Sequence, residues 1–167
     1  MIPEIKKILY TTDMSENARY AFAYATSLAN RYGASITLLH VVEEASEFWG
    51  SMVSSILGET KWKELLKNNE GKIIASIRED IETFCKNAEA ERPTCPFIID
   101  DIIVKIAKPV EENLRQVDKT GADLVVMGAH GHGTLSDKLI GSTSRRVLRR
   151  CKKPVLLVRI PDEDEAS

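Results

Sequence analysis

The chain has 167 residues, 43% of them hydrophobic, which suits one domain with a sizeable core. Its net charge is −2 and its pI near 6.0, so neither nucleic acid nor an anionic membrane surface is expected as a partner. Three cysteines, Cys85, Cys95 and Cys151, with no Cys-x2-Cys spacing, argue against a disulfide framework or a zinc site and for a reducing compartment.

Met1-Ile-Pro-Glu-Ile-Lys-Lys7 lacks the basic-then-apolar order of a signal peptide. No apolar run approaches the length of a membrane span, so a cytoplasmic protein is expected. A short strand over residues 5–10 ends in Thr11-Thr12-Asp13. Ser15 then fits an N-cap, with Glu16 in the first helical turn. Ala18, Ala21, Phe22, Ala25, Leu28 and Ala29 share one face of that helix, and Gly33 stops it. Residues 35–42 read as a strand covered on both faces, which makes the opening a right-handed parallel βαβ unit.

Residues 43–60 interrupt the alternation. Phe48, Met52, Val53, Ile56 and Leu57 recur at helical spacing, with Trp49 nearby, and Gly58 ends the run. This helical insertion is expected to pack on its own domain; the sharper alternative is a lid or partner surface. Residues 62–90 form one long charged helix with an inward stripe of Ile73, Ile77, Ile81, Phe84 and Ala88. A third strand over residues 97–106 is interrupted by Asp100-Asp101, read as solvated acids on a sheet edge. Pro109, Glu111 and Glu112 open the next helix, with Val110, Leu114 and Val117 as its buried stripe and Gly121 as its end.

The following stretch is the most informative. Residues 123–127 form a fourth, buried strand that runs straight into Gly128-Ala-His-Gly131-His-Gly133. Ser136 to Leu139 suggests a helical turn inside the loop, and the last helix spans residues 142–150. Glycines let the backbone approach a ligand closely. The helix-start amides of Ser142, Thr143 and Ser144 offer unpaired donors at the positive end of the dipole. Phosphate is the expected guest. The spacing is not that of a P-loop, because Thr134-Leu135 stand where Lys and Ser or Thr are required. Nor is it a dinucleotide fingerprint, since no third glycine follows Gly131 and Gly133 at the needed offset.

His130 and His132 flank Gly131, but two histidines without a third ligand are weak grounds for a metal. They read as loop residues whose backbone matters more than their rings. His40, ending a buried strand, reads as a satisfied core histidine. A fifth strand covers residues 154–160, and residues 162–167 form an acidic tail after a single domain of residues 1–161. Five strands alternating with helices imply an α/β doubly wound parallel sheet with helices on both faces. Ligands of such sheets sit beyond the strand carboxyl ends where strand order reverses. Asp13 would lie there, either accepting hydrogen bonds from a ribose or an adenine amino group or helping Ser15 start its helix; the residues alone leave both open.

The pattern Gly-x2-Gly-x9-Gly-Ser over Gly128, Gly131, Gly141 and Ser142 resembles the nucleotide-binding motif of the universal stress protein family. The likeness runs from Lys6 to Ile160. It is carried by Lys7-Ile-Leu-Tyr-Thr-Thr-Asp13, Leu38-Leu-His-Val41, Ala122-Asp-Leu-Val-Val-Met-Gly-Ala-His-Gly131 and Lys153-Pro-Val-Leu-Leu-Val158 in register. The resemblance implies strand order 3-2-1-4-5 in an adenine nucleotide alpha hydrolase-like sheet, a homodimer through the last strand (Val155 to Val158), and membership of the ATP-binding subgroup. It would place Asp13 on the ribose or adenine edge, Val41 on adenine, and Met127 and Gly128 on the ribose side. Gly131, Gly141, Ser142 and Thr143 would supply phosphate donors, with Thr12 and Ser144 as secondary candidates. Lys108 departs from the family, which often has Gly before the proline. The implied function is a cytoplasmic stress-response module that binds ATP, with AMP, ADP and Mg left open, and regulates an unknown protein partner. A slow ATPase or phosphotransferase, or a nucleotide-free interaction protein, are the alternatives.

Overall fold

The computed structural model describes residues 1–44, 47–131 and 139–161. In chain order the elements are β1 Lys7–Thr12, α1 Glu16–Tyr32, β2 Ser35–Glu43, α2 Glu47–Leu57, α3 Glu59–Glu91, β3 Ile98–Ala107, α4 Pro109–Thr120, β4 Leu124–Gly128, α5 Ser142–Arg150 and β5 Val155–Val158. All five strands are parallel, in the order β3-β2-β1-β4-β5. This is the expected doubly wound sheet.

Each helix stops where the sequence implies. Gly33 and Gly121 adopt φ of 64° and 66°, the left-handed region that ends a helix cheaply only at glycine. Ser15 caps α1 by accepting from the Ala18 amide at 3.2 Å. On one face of the sheet, α1 and α3 bury Ile8, Tyr10, Ile36 and Leu38 of the strands under Phe22, Ile81 and Cys85. Phe22 is the hub, with ring centroids 5.0 Å from Tyr10, 5.0 Å from Phe84 and 5.5 Å from Phe97. Burial pushes the Cys85 thiol up to about 11, so it is held as a neutral core group. On the other face, α4 and α5 cover Leu9, Leu39, Val125 and Met127 with Val110, Val117 and Val147.

One expectation changes and two gain detail. The inward stripe of α3 includes Ile77, Ile81, Phe84 and Ala88, but Ile74 and Cys85 belong to it and Ile73 is 44% exposed. The reason is length: a 33-residue helix is roughly 50 Å long and outruns the sheet, so its first turns meet α2 rather than strands. α2 does pack on its own chain, against α3, yet Met52, Ile56 and Leu57 stay exposed. The side chains of Phe48 and Trp49 lie outside the described residues. At β3 the ladder pairs Ile36 with Ile99 and Thr37 with Asp101, leaving Asp100 as a bulge. The acids therefore sit solvated on the sheet edge, and they do interrupt the strand.

Asp123 pins the start of β1. Its Oδ2 accepts from the amides of Lys6 at 2.9 Å and Lys7 at 3.0 Å. Those amide bonds, from Lys6 first, hold the carboxyl below its ordinary value despite partial burial. A depressed folded-state value means the stabilisation is full above the unfolded carboxylate range, about pH 4, and is lost as pH falls through the folded value. Asp123→Asn should lower thermal stability at neutral pH and flatten the loss below about pH 4. Melting curves from pH 2 to 7 would show this, and an acid limb as steep as that of the unaltered chain would refute it.

Candidate functional site

β1 and β4 are neighbours, with Thr11 beside Met127, so their carboxyl ends open side by side. From β1 the chain goes to β2 on one side, whereas β4 and β5 lie on the other. That is the reversal point at which doubly wound sheets bind ligands. A cleft of about 560 Å³ opens there. Thr12, Asp13, Val41, Met127, Gly128, Gly131, Gly141, Ser142, Thr143 and Ser144 all border it.

The β1–α1 turn fixes Asp13. Its Oδ1 accepts from the Ser15 amide at 2.9 Å, while Thr12 Oγ1 accepts from the Met14 amide at 3.0 Å. Met14 is the one non-glycine residue with positive φ among the described residues, at 64°. Holding it there costs energy that the surrounding bonds must offset. Both sequence readings of Asp13 thus find a place: one carboxylate oxygen steadies the helix start, and the carboxylate also borders the cleft. Thr12 is committed mainly to the turn.

Gly131 approaches that carboxylate so closely that a Cβ added to it would overlap Asp13 Oδ2. Gly128 is equally confined: a Cβ would lie 2.5 Å from Asn17 Nδ2 and 3.3 Å from the Ala18 amide nitrogen. Neither glycine has positive φ, so space and not backbone conformation requires them. Ser144 Oγ donates to the Gly128 carbonyl at 2.8 Å and holds the turn against α5. The expectation for Gly141 needs correction. Its amide already donates to Ala129 O at 2.7 Å, so it offers no free phosphate donor and instead serves as the helix N-cap. The first described α5 bond runs from the Arg145 amide to Gly141 O, which leaves the amides of Ser142, Thr143 and Ser144 ahead of the ladder. No acid occupies the first turn of α5, and Arg149 and Arg150 complement its far end. An anion at this helix start therefore meets a positive dipole end with no acid in the helix's own first turn. No lysine or arginine borders the cleft among the described residues. No group of three metal-capable side chains exists among those residues either.

His40 is satisfied, with Nδ1 2.8 Å from Thr12 O, but it borders the cleft and is only half-buried. The backbone of His130 matters as expected, its carbonyl accepting from Asn17 Nδ2 at 3.3 Å. Its ring nitrogens are buried and have no partners among the described residues. His132 and all but the last residue of the turn expected over Ser136 to Leu139 lie outside the described residues.

Two residues escaped the sequence reading. Asn17 is 8% exposed and joins three segments: Nδ2 donates to Val158 O at 3.1 Å as well as to His130 O, and Oδ1 accepts from the Ile160 amide at 3.0 Å. Its signal was a polar residue on the same helical row as Ala21, Ala25 and Ala29. Asn113 of α4 also borders the cleft, at 3% exposure. It continues the row of Val117 and so was legible as inward-facing.

A single doubly wound α/β domain, with a glycine turn and a helix start meeting an acid across the strand tips, defines the class of protein: a sheet built around a switch-point cleft. The chain belongs to the universal stress protein family, whose model matches residues 4–159. Universal stress protein MJ0577 of Methanocaldococcus jannaschii is 30% identical over 154 residues, covering 92% of this chain and 94% of the relative. The solved MJ0577 structure superimposes with a TM-score of 0.64 at 28% identity, over 96% of this chain and all of that one (100%). UspA from Lactobacillus plantarum gives a TM-score of 0.67 at 21% identity, over 95% of this chain and 100% of its own. A universal stress protein solved in complex with cAMP gives 0.58 at 21% identity, over 94% and 98% of the two chains.

Proposed function

We propose that the cleft binds an adenine mononucleotide, with ATP as the fullest occupant and AMP or ADP as shorter ones, and that the chain acts as a nucleotide-dependent regulatory module of the stress response. The observation that supports it most is the meeting of Asp13, Gly131 and the α5 start in one cleft of about 560 Å³. That volume lies within the range of small-ligand sites. The Ser142, Thr143 and Ser144 amides would take the phosphates, and Asp13 the ribose or base edge. Mg would ride on the phosphates, because the described residues contribute no metal cluster of their own. The cAMP complex of the related protein agrees with this reading but shares only the fold with this chain.

The partner is a second copy, joined through the β5 edge at Val155 to Val158 and free to present a nucleotide-dependent surface to another protein. A small strand whose Val155, Leu156 and Leu157 are half-buried in one chain suits such pairing. Slow ATP hydrolysis is a second reading, favoured only by the buried ring of His130, which has no partner among the described residues. Turnover lost in His130→Ala with ATP binding kept would raise it above simple binding.

Mass spectrometry of small molecules released from the purified protein, followed by calorimetric titration with ATP and AMP, tests the first reading. The expected result is a bound adenine nucleotide or micromolar-or-better affinity for one. Empty protein that takes up neither nucleotide would leave a ligand-free interaction protein as the function.

A further inference from the structure

We infer that Asn113 selects the base: its side-chain oxygen accepts a hydrogen bond from the exocyclic amino group of the nucleotide, and so turns a mononucleotide cleft into one that prefers amino-bearing bases. The inference rests on the nucleotide reading above and deepens it.

Asn113 projects from α4 into the cleft wall at 3% exposure. Its Nδ2 donates to Pro109 O at 2.7 Å, one helical turn back. That bond fixes the amide plane and settles which end is which, because a carbonyl can be met only by the nitrogen. Oδ1 is left buried and without a partner among the described residues. Buried amide oxygens are nearly always satisfied, so an orphan on a residue that borders a cleft points to a donor that arrives with the ligand.

The position allows a base. Phosphate donors gather at β4 and α5, around Gly131 and Ser142. Asn113 stands on α4, which packs on β2 as well as on α5, and β2 is separated from β4 by β1. Two strand spacings are about 10 Å, comparable with the reach from phosphate to base. Adenine and cytosine present an amino donor at the corresponding edge. Guanine, hypoxanthine and uracil present a carbonyl oxygen, which would face the fixed Oδ1 with both groups acceptors. A polar site of this kind rejects the mismatched partner more strongly than an apolar wall does.

Calorimetry with three nucleotides on the full chain tests this: ATP, ITP, in which the amino group is replaced by oxygen, and purine riboside triphosphate, in which it is simply missing. The unaltered protein should bind ATP roughly 10- to 100-fold more tightly than either analogue. Asn113→Leu, of similar size, should bring the three affinities to within about threefold of each other, by losing ATP affinity and not by gaining a new fold. The analogue series on unaltered protein needs no variant, so a misfolded Asn113→Leu cannot hide the answer. Equal binding of ATP and purine riboside triphosphate would overturn the assignment, as would an Asn113→Leu protein that keeps the full preference. Failure of all three nucleotides to bind would overturn the nucleotide reading itself, and is distinct from equal binding of all three.

Discussion

Gly131→Val should weaken ATP binding about 100-fold or more while shifting the melting temperature by less than about 4 °C. The side chain has nowhere to go, because its first carbon already overlaps the Asp13 carboxylate. When Asp13 yields it gives up the Ser15 amide, now at 2.9 Å. Overpacking costs about 1–3 kcal/mol, and a hydrogen bond to a charged group about 1.5–3 kcal/mol. Even 3 kcal/mol is about two decades of affinity. The fold loses little, because Gly131 and Asp13 sit half-buried at the cleft rim, away from the Phe22 hub, so the turn can shift to relieve the clash and the cost falls on returning it to hold the nucleotide. Gly141→Ala supplies the contrast. A Cβ there would meet Ala129 O at 3.4 Å, an ordinary contact, and φ −57° with ψ 153° suits alanine. Its affinity should stay within about threefold. If Gly131→Val binds ATP as the unaltered protein does, the glycine turn is not where the nucleotide sits.

Asn17→Leu should produce the largest loss of stability away from the apolar core, about 2–4 kcal/mol, or a fall of roughly 5–15 °C in melting temperature. Leucine fills the volume but leaves the Ile160 amide and the His130 carbonyl unpaired where Asn17 now meets both. Val158 O suffers less, since the Ala129 amide still donates to it at 2.8 Å. The effect should reach the cleft, because the His130 carbonyl holds the turn that sets Gly131 against Asp13. ATP affinity should fall along with stability, in contrast to Gly131→Val, where affinity falls alone. Thermal melts with and without ATP separate the two, and a melting temperature within about 2 °C of the unaltered protein would remove Asn17 from the account.

Much of the fold was legible because its signals are local. Ser15, Gly33, Pro109 and Gly121 mark helix ends through their own backbone preferences. Residues 124–127 declare a buried strand by being wholly apolar, and they are buried throughout. The limits of α5 follow from Gly141 and the charged run after it. The α3 stripe was misplaced at Ile73 because periodicity gives a helix face but not how far the sheet beneath it extends. The interruption at Asp100-Asp101 was legible, but its form as a bulge was not, since an extra residue shows only against its partner strand.

The sequence by itself determined the element order, the glycine turn before a helix start, and the set of residues that came to border one cleft, because each depends on conformational preference within a few residues. Only the tertiary structure decided which of those groups remain available. The Gly141 amide, the Ser144 hydroxyl and one oxygen of Asp13 are taken by internal bonds, whereas the Asn113 oxygen is left over. The pairing of a donor with an acceptor a hundred residues away, as between Asn17 and Val158, is a property of distance in space, and distance in space is set only when the sheet closes.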